Sequence, residues 1–418
     1  MEQAEMKLKS TARLKGKHSL FANHRFVFLW LASAASSFSL STYMLSEEWY
    51  VVSGLGRPSM LGVVMMLTMI PRVALMFIGG SLADHFERRK VLFYSDFIRG
   101  ILVGGMALLV LSGSLNIWML MVFALLFGTL DAFFWPASRS MIPFIVDQGQ
   151  LTRANSIIQG TSQFLTIIGP AIAAVLIHWI SYQGVFAVTA FLLLFGSLLN
   201  WGIKEEVKKE PKAKKTSILN DLKETIAYIR KESYLKTMMG IGIVLNFFIS
   251  GPISVGLPIL VKNVLHGQAI DLSFIEASLS IGMVAGAVLA GVLNIKKKRA
   301  VINIALLIFV SLSFAFLSQI GSVWSGMLFS GLSGLGLAAS NIVGASLTQT
   351  FVDRGQMGRV QSLMAMTSMG LIPLSFAIVS VLLSTGVPIQ WLMLVASGVT
   401  TLVSIAILVR VRLLWTID

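Results

Sequence analysis

The residues best placed for chemistry are charges set inside otherwise apolar stretches. Asp131 interrupts FGTLDAFFWPAS eight residues before Arg139, and Arg72 interrupts MIPRVALM eight residues before Gly80. At 1.5 Å per helical residue, each lies roughly 12 Å from the nearer helix end. An ionisable group in hydrocarbon costs about 2.5–3.5 kcal/mol on insertion scales, so it needs a partner, a wet cavity or a function. Asp131 is therefore the first candidate for a carboxylate that takes up and releases a proton. The alternative is an aspartate capped by local hydroxyls or paired with an arginine, and Arg72 at matching depth is the candidate partner in a switchable ion pair.

Glu47 and Glu48 stand side by side in SEEWY. Helical neighbours point about 100° apart, so at most one of them faces an internal cavity. A glutamate there could bind a cation, couple to protons, or both. Trp49 and Tyr50 beside them suit a position near the outer headgroups equally well. Glu276, early in a later apolar run, reads as interfacial. Uncharged candidates for a cavity wall are Gln159, Gln163, Asn246, Asn341 and Gln349. Hydrogen bonding between helices is the commoner use of such residues.

These groups need elements to hold them, and composition says which kind. Of 418 residues, 56% are hydrophobic and 12% charged, about half the charge of a soluble domain. Mean hydropathy is +0.81. So few charges cannot cover a soluble surface, whereas helices of about 20 apolar residues can cross a bilayer. Apolar runs predict twelve transmembrane helices, near 26–53, 59–82, 90–112, 117–140, 152–179, 184–203, 237–262, 272–294, 300–319, 323–350, 359–384 and 388–410. The fold class is thus an all-α polytopic membrane protein.

Lysine and arginine positions orient it. With the first residues inside, 29 of the 33 basic residues fall on the inner side, against Arg57 and Lys262 outside and Arg72 and Arg99 within helices. That asymmetry is the positive-inside pattern and predicts both termini in the cytoplasm. It also accounts for the net charge of +14 through contact with an anionic inner leaflet, which leaves nucleic acid a poor partner. Residues 1–25 lack the apolar core of a signal peptide and read as a cytosolic tail. Residues 26–203 form a six-helix half and 237–410 a second, followed by a tail at 411–418. Between the halves, 204–236 is a basic linker in which Ile218, Leu222, Ile226 and Ile229 recur at helical spacing. An amphipathic helix lying on the inner surface or against the bundle follows. Two halves joined by a cytosolic linker suit an alternating-access carrier.

The loop between the second and third helices reads GGSLADHFERRKVL. Gly80, Asp84, Arg88, Arg89 and Lys90 fall on a pattern of glycine, acid and basic cluster that resembles the signature loop of the major facilitator superfamily. His85 stands where arginine is usual and Glu87 where many members have glycine. With Asp96 and Arg99 following, the loop looks most like the macrolide-efflux and siderophore-exporter branch. Trp135-Pro136-Ala137, Ala154-Asn155-Ser156 and the text DLKETIAYIRKESYLK point the same way. The resemblance implies two pseudo-symmetric six-helix bundles, and a latch in which Asp84 meets the eleventh helix near Gly358 and holds the cytosolic side shut in one state. Without the family, Asp84–Arg88 would be a solvated loop pair worth under about 1 kcal/mol. Asp96 and Arg99 are expected to brace this loop. Ile168-Gly169-Pro170-Ala171 resembles the fifth-helix antiporter motif, with Ala173 and Ala174 replacing its glycines. The usual fourth-helix arginine of drug–proton antiporters is absent between Asn116 and Pro136.

Other classes fare worse. Cysteine is absent, so thiol nucleophiles and thiolate metal sites are excluded. No G-x-x-x-x-G-K-[ST] run offers a phosphate cradle, and no histidine pairs with an acid inside a span as an intramembrane hydrolase requires. The expected protein is not an enzyme and uses no cofactor or metal. It is a cell-membrane transporter driven by the proton gradient, exporting a lipophilic or amphipathic small molecule such as a drug, macrolide or siderophore. Its partners are the substrate, protons and membrane lipids, and it acts as a monomer. A lipid or lysolipid transporter, or an importer, is the same-fold alternative. One proton crossing 100 mV releases about 2.3 kcal/mol, enough for a roughly 50-fold gradient.

Overall fold

The computed structural model describes residues 20–85, 87–203, 225–230, 233–293, 295, 297–353 and 357–410. Helices account for nearly all of them, and no strand occurs among the described residues. The order is α1 (His24–Trp49), α2 (Leu61–His85), α3 (Arg88–Leu111) and α4 (Ile117–Ile145). A continuous stretch, Leu151–Trp201, is broken at Ser181 (φ 58°, ψ −179°) into α5 (151–180) and α6 (182–201). Next comes α7 (Leu235–Val264), then α8 (Ala269–Leu293), α9 (Arg299–Leu317) and α10 (Val323–Phe351). The eleventh, α11, is interrupted at Leu371 between Met357–Gly370 and Ile372–Ser384, and α12 is Ile389–Arg410. Eleven described stretches are long and apolar enough to cross a membrane. The break at Ser181 divides one of them, so the expected twelve spans are present.

Two helices end in the same unusual way. Tyr50–Gly54 continues α1 as a π turn, and Leu260–Val264 closes α7 as another. In the first, Leu55 N–H donates to the Tyr50 carbonyl and Arg57 N–H to Val51. In the second, Leu265 N–H donates to Leu260 and Gly267 N–H to Val261. A third π turn, Asn246–Ser250, lies in the middle of α7.

Residue contacts divide the chain into two compact units. The first takes Met1–Ser46, Ala74–Leu115 and Val122–Lys209, and the second Glu47–Val73, Asn116–Met121 and Glu210–Asp418. The first unit is knitted by small hydroxyls on α1. Ser37 donates to Ser162 (2.9 Å) and Ser41 to the Thr166 carbonyl (3.2 Å) on α5, while Ser33 meets Ser138 (3.3 Å) on α4. With hydrocarbon on the outside, hydrophobicity does not drive helices together, so close packing and such bonds must. Gly169 serves the same contact, because a Cβ there would collide with the Ser41 side chain.

In the second unit, glycine seams replace hydroxyls. A Cβ at Gly282, Gly286 or Gly334 would strike the carbonyl of Gly331, Leu335 or Leu279 across the α8–α10 contact. The outer part of α2 packs here too, with Gly62 against the Phe376 carbonyl and Val63 N–H donating to Ser380 Oγ (3.1 Å). Of the linker, residues 225–230 are helical, and Ile226 and Ile229 pack on a cluster with Leu235, Ile304 and Leu347. This part lies against the bundle, with Asp353 N–H donating to Tyr228 Oη (3.2 Å). Ile218 and Leu222 lie outside the described residues.

Candidate functional site

Two interior polar regions stand out, one in each unit. In the first unit α3 places Asp96 and Arg99 one turn apart, so both side chains point the same way. Arg99 Nη1 donates to Asp131 Oδ1 on α4 at 2.7 Å, and Nη2 donates to Asp96 Oδ1 at 2.5 Å. Nη2 also reaches Ser36 Oγ on α1 (3.0 Å), and Nε reaches the Ser95 carbonyl (3.3 Å). Asp96 is held further by the Ser36 hydroxyl (3.2 Å) and by Asn200 Nδ2 of α6 (3.1 Å). The rings of Phe127 and Phe134 flank the guanidinium, 5.4 and 5.1 Å from Cζ to the centroids, a cation–π arrangement. Asp96 and Arg99 are fully buried and Asp131 is 2% exposed.

The arrangement follows from guanidinium chemistry. A planar fork of five donors can serve two carboxylates at once, which an ammonium cannot do with the same geometry. Ser95 Oγ donates to the Leu130 carbonyl (2.8 Å) and sets α3 and α4 in register at this level. Two acids thus share one cation, and the Asp131 bond is what joins α3 to α4 by charge. Protonating Asp131 removes the charge assistance from that bond and leaves Arg99 held by Asp96 and Ser36.

Several expectations are placed differently by this geometry. Arg99 and Asp96 were expected at the signature loop, but they form the buried network with Asp131. Arg72 is partly buried on α2. Ser36 and Asn200 were not singled out by sequence. The available signal was the run SAASSFSLST on α1, too polar for a helix that needs only lipid contact. At the loop, Arg88 Cζ stands 4.0 Å from the Phe144 ring centroid and Arg89 Cζ 5.2 Å from that of Trp201. Glu87 pairs with Lys90 (3.2 Å) and Arg89 (3.4 Å). The hydrogen bond from Lys90, then the charges and bond of its basic neighbours, hold the Glu87 carboxyl below its ordinary range. Gly80 lies in α2, whereas the Asp84 side chain and the expected contact near Gly358 fall outside the described residues. Gln159 and Gln163 are exposed on α5, and Gly169–Pro170 sits against α1 as described.

The second unit holds a cavity of about 570 Å³ walled by α7 to α11. Asn246 and Asn341, both expected candidates, line it together with Ser250, Ser254 and Asn303. Toward the C-terminal end of α1, Glu47 is 2% exposed, and the Glu48 carboxyl lies within electrostatic reach of both Glu47 and Glu276. Sequence gave no sign that Glu276 would come near Glu48. Lys262 Nζ lies 5.9 Å from the Trp49 ring centroid.

Comparison with known proteins agrees with the twelve-span architecture. The model of the Major Facilitator Superfamily matches residues 29–370. Macrolide efflux protein A of Streptococcus pyogenes is 22% identical over 342 residues, covering 81% of this chain and 84% of that protein. Macrolide efflux protein A of Enterococcus faecalis is 23% identical over 287 residues, covering 68% and 88%. Among solved structures, the POT family transporter PepTSo superposes with a TM-score of 0.72 at 14% identity, over 95% of this chain and 99% of that one; this shows a shared fold. Twelve apolar spans, with a family match running from the first helix into the eleventh, place the chain among the transporters of the Major Facilitator Superfamily.

Proposed function

We propose that this transporter is a proton-coupled exporter of an amphipathic or lipophilic small molecule, with Asp131 as the carboxylate that gives and takes the proton. The observation that carries the reading is the buried Arg99–Asp131 bond of 2.7 Å, in which a single guanidinium also serves Asp96. A proton arriving at Asp131 neutralises the carboxylate and weakens the charge-assisted bond that Oδ1 accepts from Arg99. Loading therefore alters the grip of α3 on α4, and a change in helix grip is what an alternating-access carrier needs from its driving ion. Asp96 accepts from Arg99, Asn200 and Ser36 and so offers the cation a second hold beside Asp131. The relatives named for macrolide efflux support the outward direction and the drug-like substrate. The protein resides in the cell membrane with both termini cytoplasmic, as the basic-residue asymmetry indicates, and works as a monomer.

The test is proton movement in inverted membrane vesicles, followed with a pH-sensitive dye as macrolides, lipophilic cations and siderophores are added singly. One compound should discharge the gradient through the wild-type protein and not through Asp131→Asn. Substrate-dependent proton flux at the wild-type rate in Asp131→Asn would overturn the assignment of the coupling group.

A further inference from the structure

We propose that the cavity of the second unit receives its molecule uncharged, so that a weak base enters as the free amine and not as the ammonium ion. The inference rests on the exporter reading for its substrate but on different residues for its argument. Among the described residues, no acidic or basic side chain walls this cavity. Proteins hold organic cations with carboxylates or with cages of aromatic faces. Among the described wall residues there is no carboxylate, and Phe314 is the one aromatic. An ammonium ion would lose its hydration and gain no countercharge, a costly transfer.

What the wall does offer suits neutral oxygen and amide groups. Asn246, Ser250 and Ser254 follow at intervals of four on α7, and Asn341 of α10 lines the same cavity. Among the described residues, Ser250, Ser254 and Asn341 make no hydrogen bond within the chain. Asn246 spends Nδ2 on the Gly242 carbonyl (2.9 Å) and keeps Oδ1 for a visitor. The π turn Asn246–Ser250 lies on this wall, and such turns inside helices occur frequently at functional sites. Between the polar groups the wall is apolar, with Ile241, Leu245, Ile253 and Leu337. A volume of about 570 Å³ falls in the range of drug-sized pockets. The ligand class is an amphipathic, largely apolar molecule carrying several uncharged hydrogen-bonding groups.

The experiment is equilibrium binding to the full chain in lipid nanodiscs with three matched probes. These are erythromycin, its N-methyl quaternary salt, and a derivative whose amine is demethylated and acetylated. The acetylated probe should bind with no dependence on pH between 6 and 9. Erythromycin should gain affinity as pH rises, in step with its free-base fraction. The quaternary salt should bind at least about tenfold more weakly than the acetylated probe, a ratio equal to roughly 1.4 kcal/mol. Asn341→Leu should weaken the acetylated probe several-fold, and Asn341→Asp or Ser250→Asp should turn preference toward the quaternary salt. Equal or tighter binding of the quaternary salt by the wild type, or no binding of any probe, overturns the proposal. So does unchanged binding in both Asn341 variants. Binding needs no gradient, so failure of Asp131 as coupling group would show in the dye assay and leave these results standing.

Discussion

The Arg99 cluster of the first unit and the cavity of the second use interior polar atoms in opposite ways. The first buries full charges and leaves them no room: Asp96, Arg99 and Asp131 are at most 2% exposed and bonded to one another. The second surrounds a space of about 570 Å³ with amides and hydroxyls, several of them uncommitted. Charge with tight partners makes a switch, because adding one proton rewrites the bonding. Neutral groups around a void make a receptor, because a visitor can be bonded without rearranging the wall. On the proposed reading, the difference assigns energy input and recognition to separate parts of this chain.

Removing the shared cation should break the first half of that contrast most severely. Arg99→Leu leaves two carboxylates buried without it, a change worth about 3–5 kcal/mol, and unfolding of the detergent-solubilised protein should show it. Replacing the whole cluster, with Arg99→Leu, Asp96→Asn and Asp131→Asn together, should recover much of that loss, since no uncompensated charge remains. Recovery to near wild-type stability without transport would separate folding from coupling.

Asp131→Asn should come next in effect, lowering substrate-driven proton flux by about a hundredfold, the lower range for loss of an acid–base group. Probe binding to the second unit should meanwhile stay within about twofold, well inside the coupling energies that distant sites exchange. Parallel loss of flux and binding would dissolve the separation. A gentler probe is electrical. Outward movement of an uncharged molecule against an entering proton shifts net charge inward, worth about 2.3 kcal/mol per 100 mV. An imposed inside-negative potential in right-side-out vesicles should therefore speed export, and indifference to potential would point to a cationic substrate.

The smallest effect belongs to the loop. Glu87 is exposed, and its carboxyl is held below its ordinary range by Lys90 and Arg89. Its contribution is present above the unfolded pKa and is lost as pH falls through the lower folded value. Solvent screens such a pair, so Glu87→Gln should change the pH-dependence of thermal stability only at the edge of detection, at acid pH. A large effect would mean that this loop carries more of the fold than its exposure suggests.

Much of this architecture was legible in the residues. The order of the twelve spans follows from length and hydropathy, and even the turn between α5 and α6, hidden within one helical stretch, lies between the apolar runs 152–179 and 184–203. That Asp131 is an interior group was legible from the apolar run around it, but its distance from the helix end was not, because α4 runs on to Ile145 and not to Arg139. Its bond to Arg99 was not legible either, since counting along one helix says nothing about which neighbour stands opposite. Arg99 sits only eleven residues beyond Arg88 and was for that reason attached to the loop. Ser36 and Asn200 escaped notice because a hydroxyl or amide in an apolar helix is ordinarily packing glue. Asn246 and Asn341 could be picked out as polar, but not as lining one cavity, because α7 and α10 meet only in three dimensions.

The paired π turns carry a consequence for comparing α1 with α7. Tyr50–Gly54 and Leu260–Val264, 210 positions apart, close with the same two carbonyl registers. From residue 50 to 57 against 260 to 267, the shared identities are Val51 with Val261 and Leu55 with Leu265. Alignment of letters would scarcely register this as a repeat, whereas the route of the main chain repeats turn for turn. Correspondence between α1 and α7 is better sought in hydrogen-bond register than in residue identity, and the C-terminal ends of the two helices are where it shows.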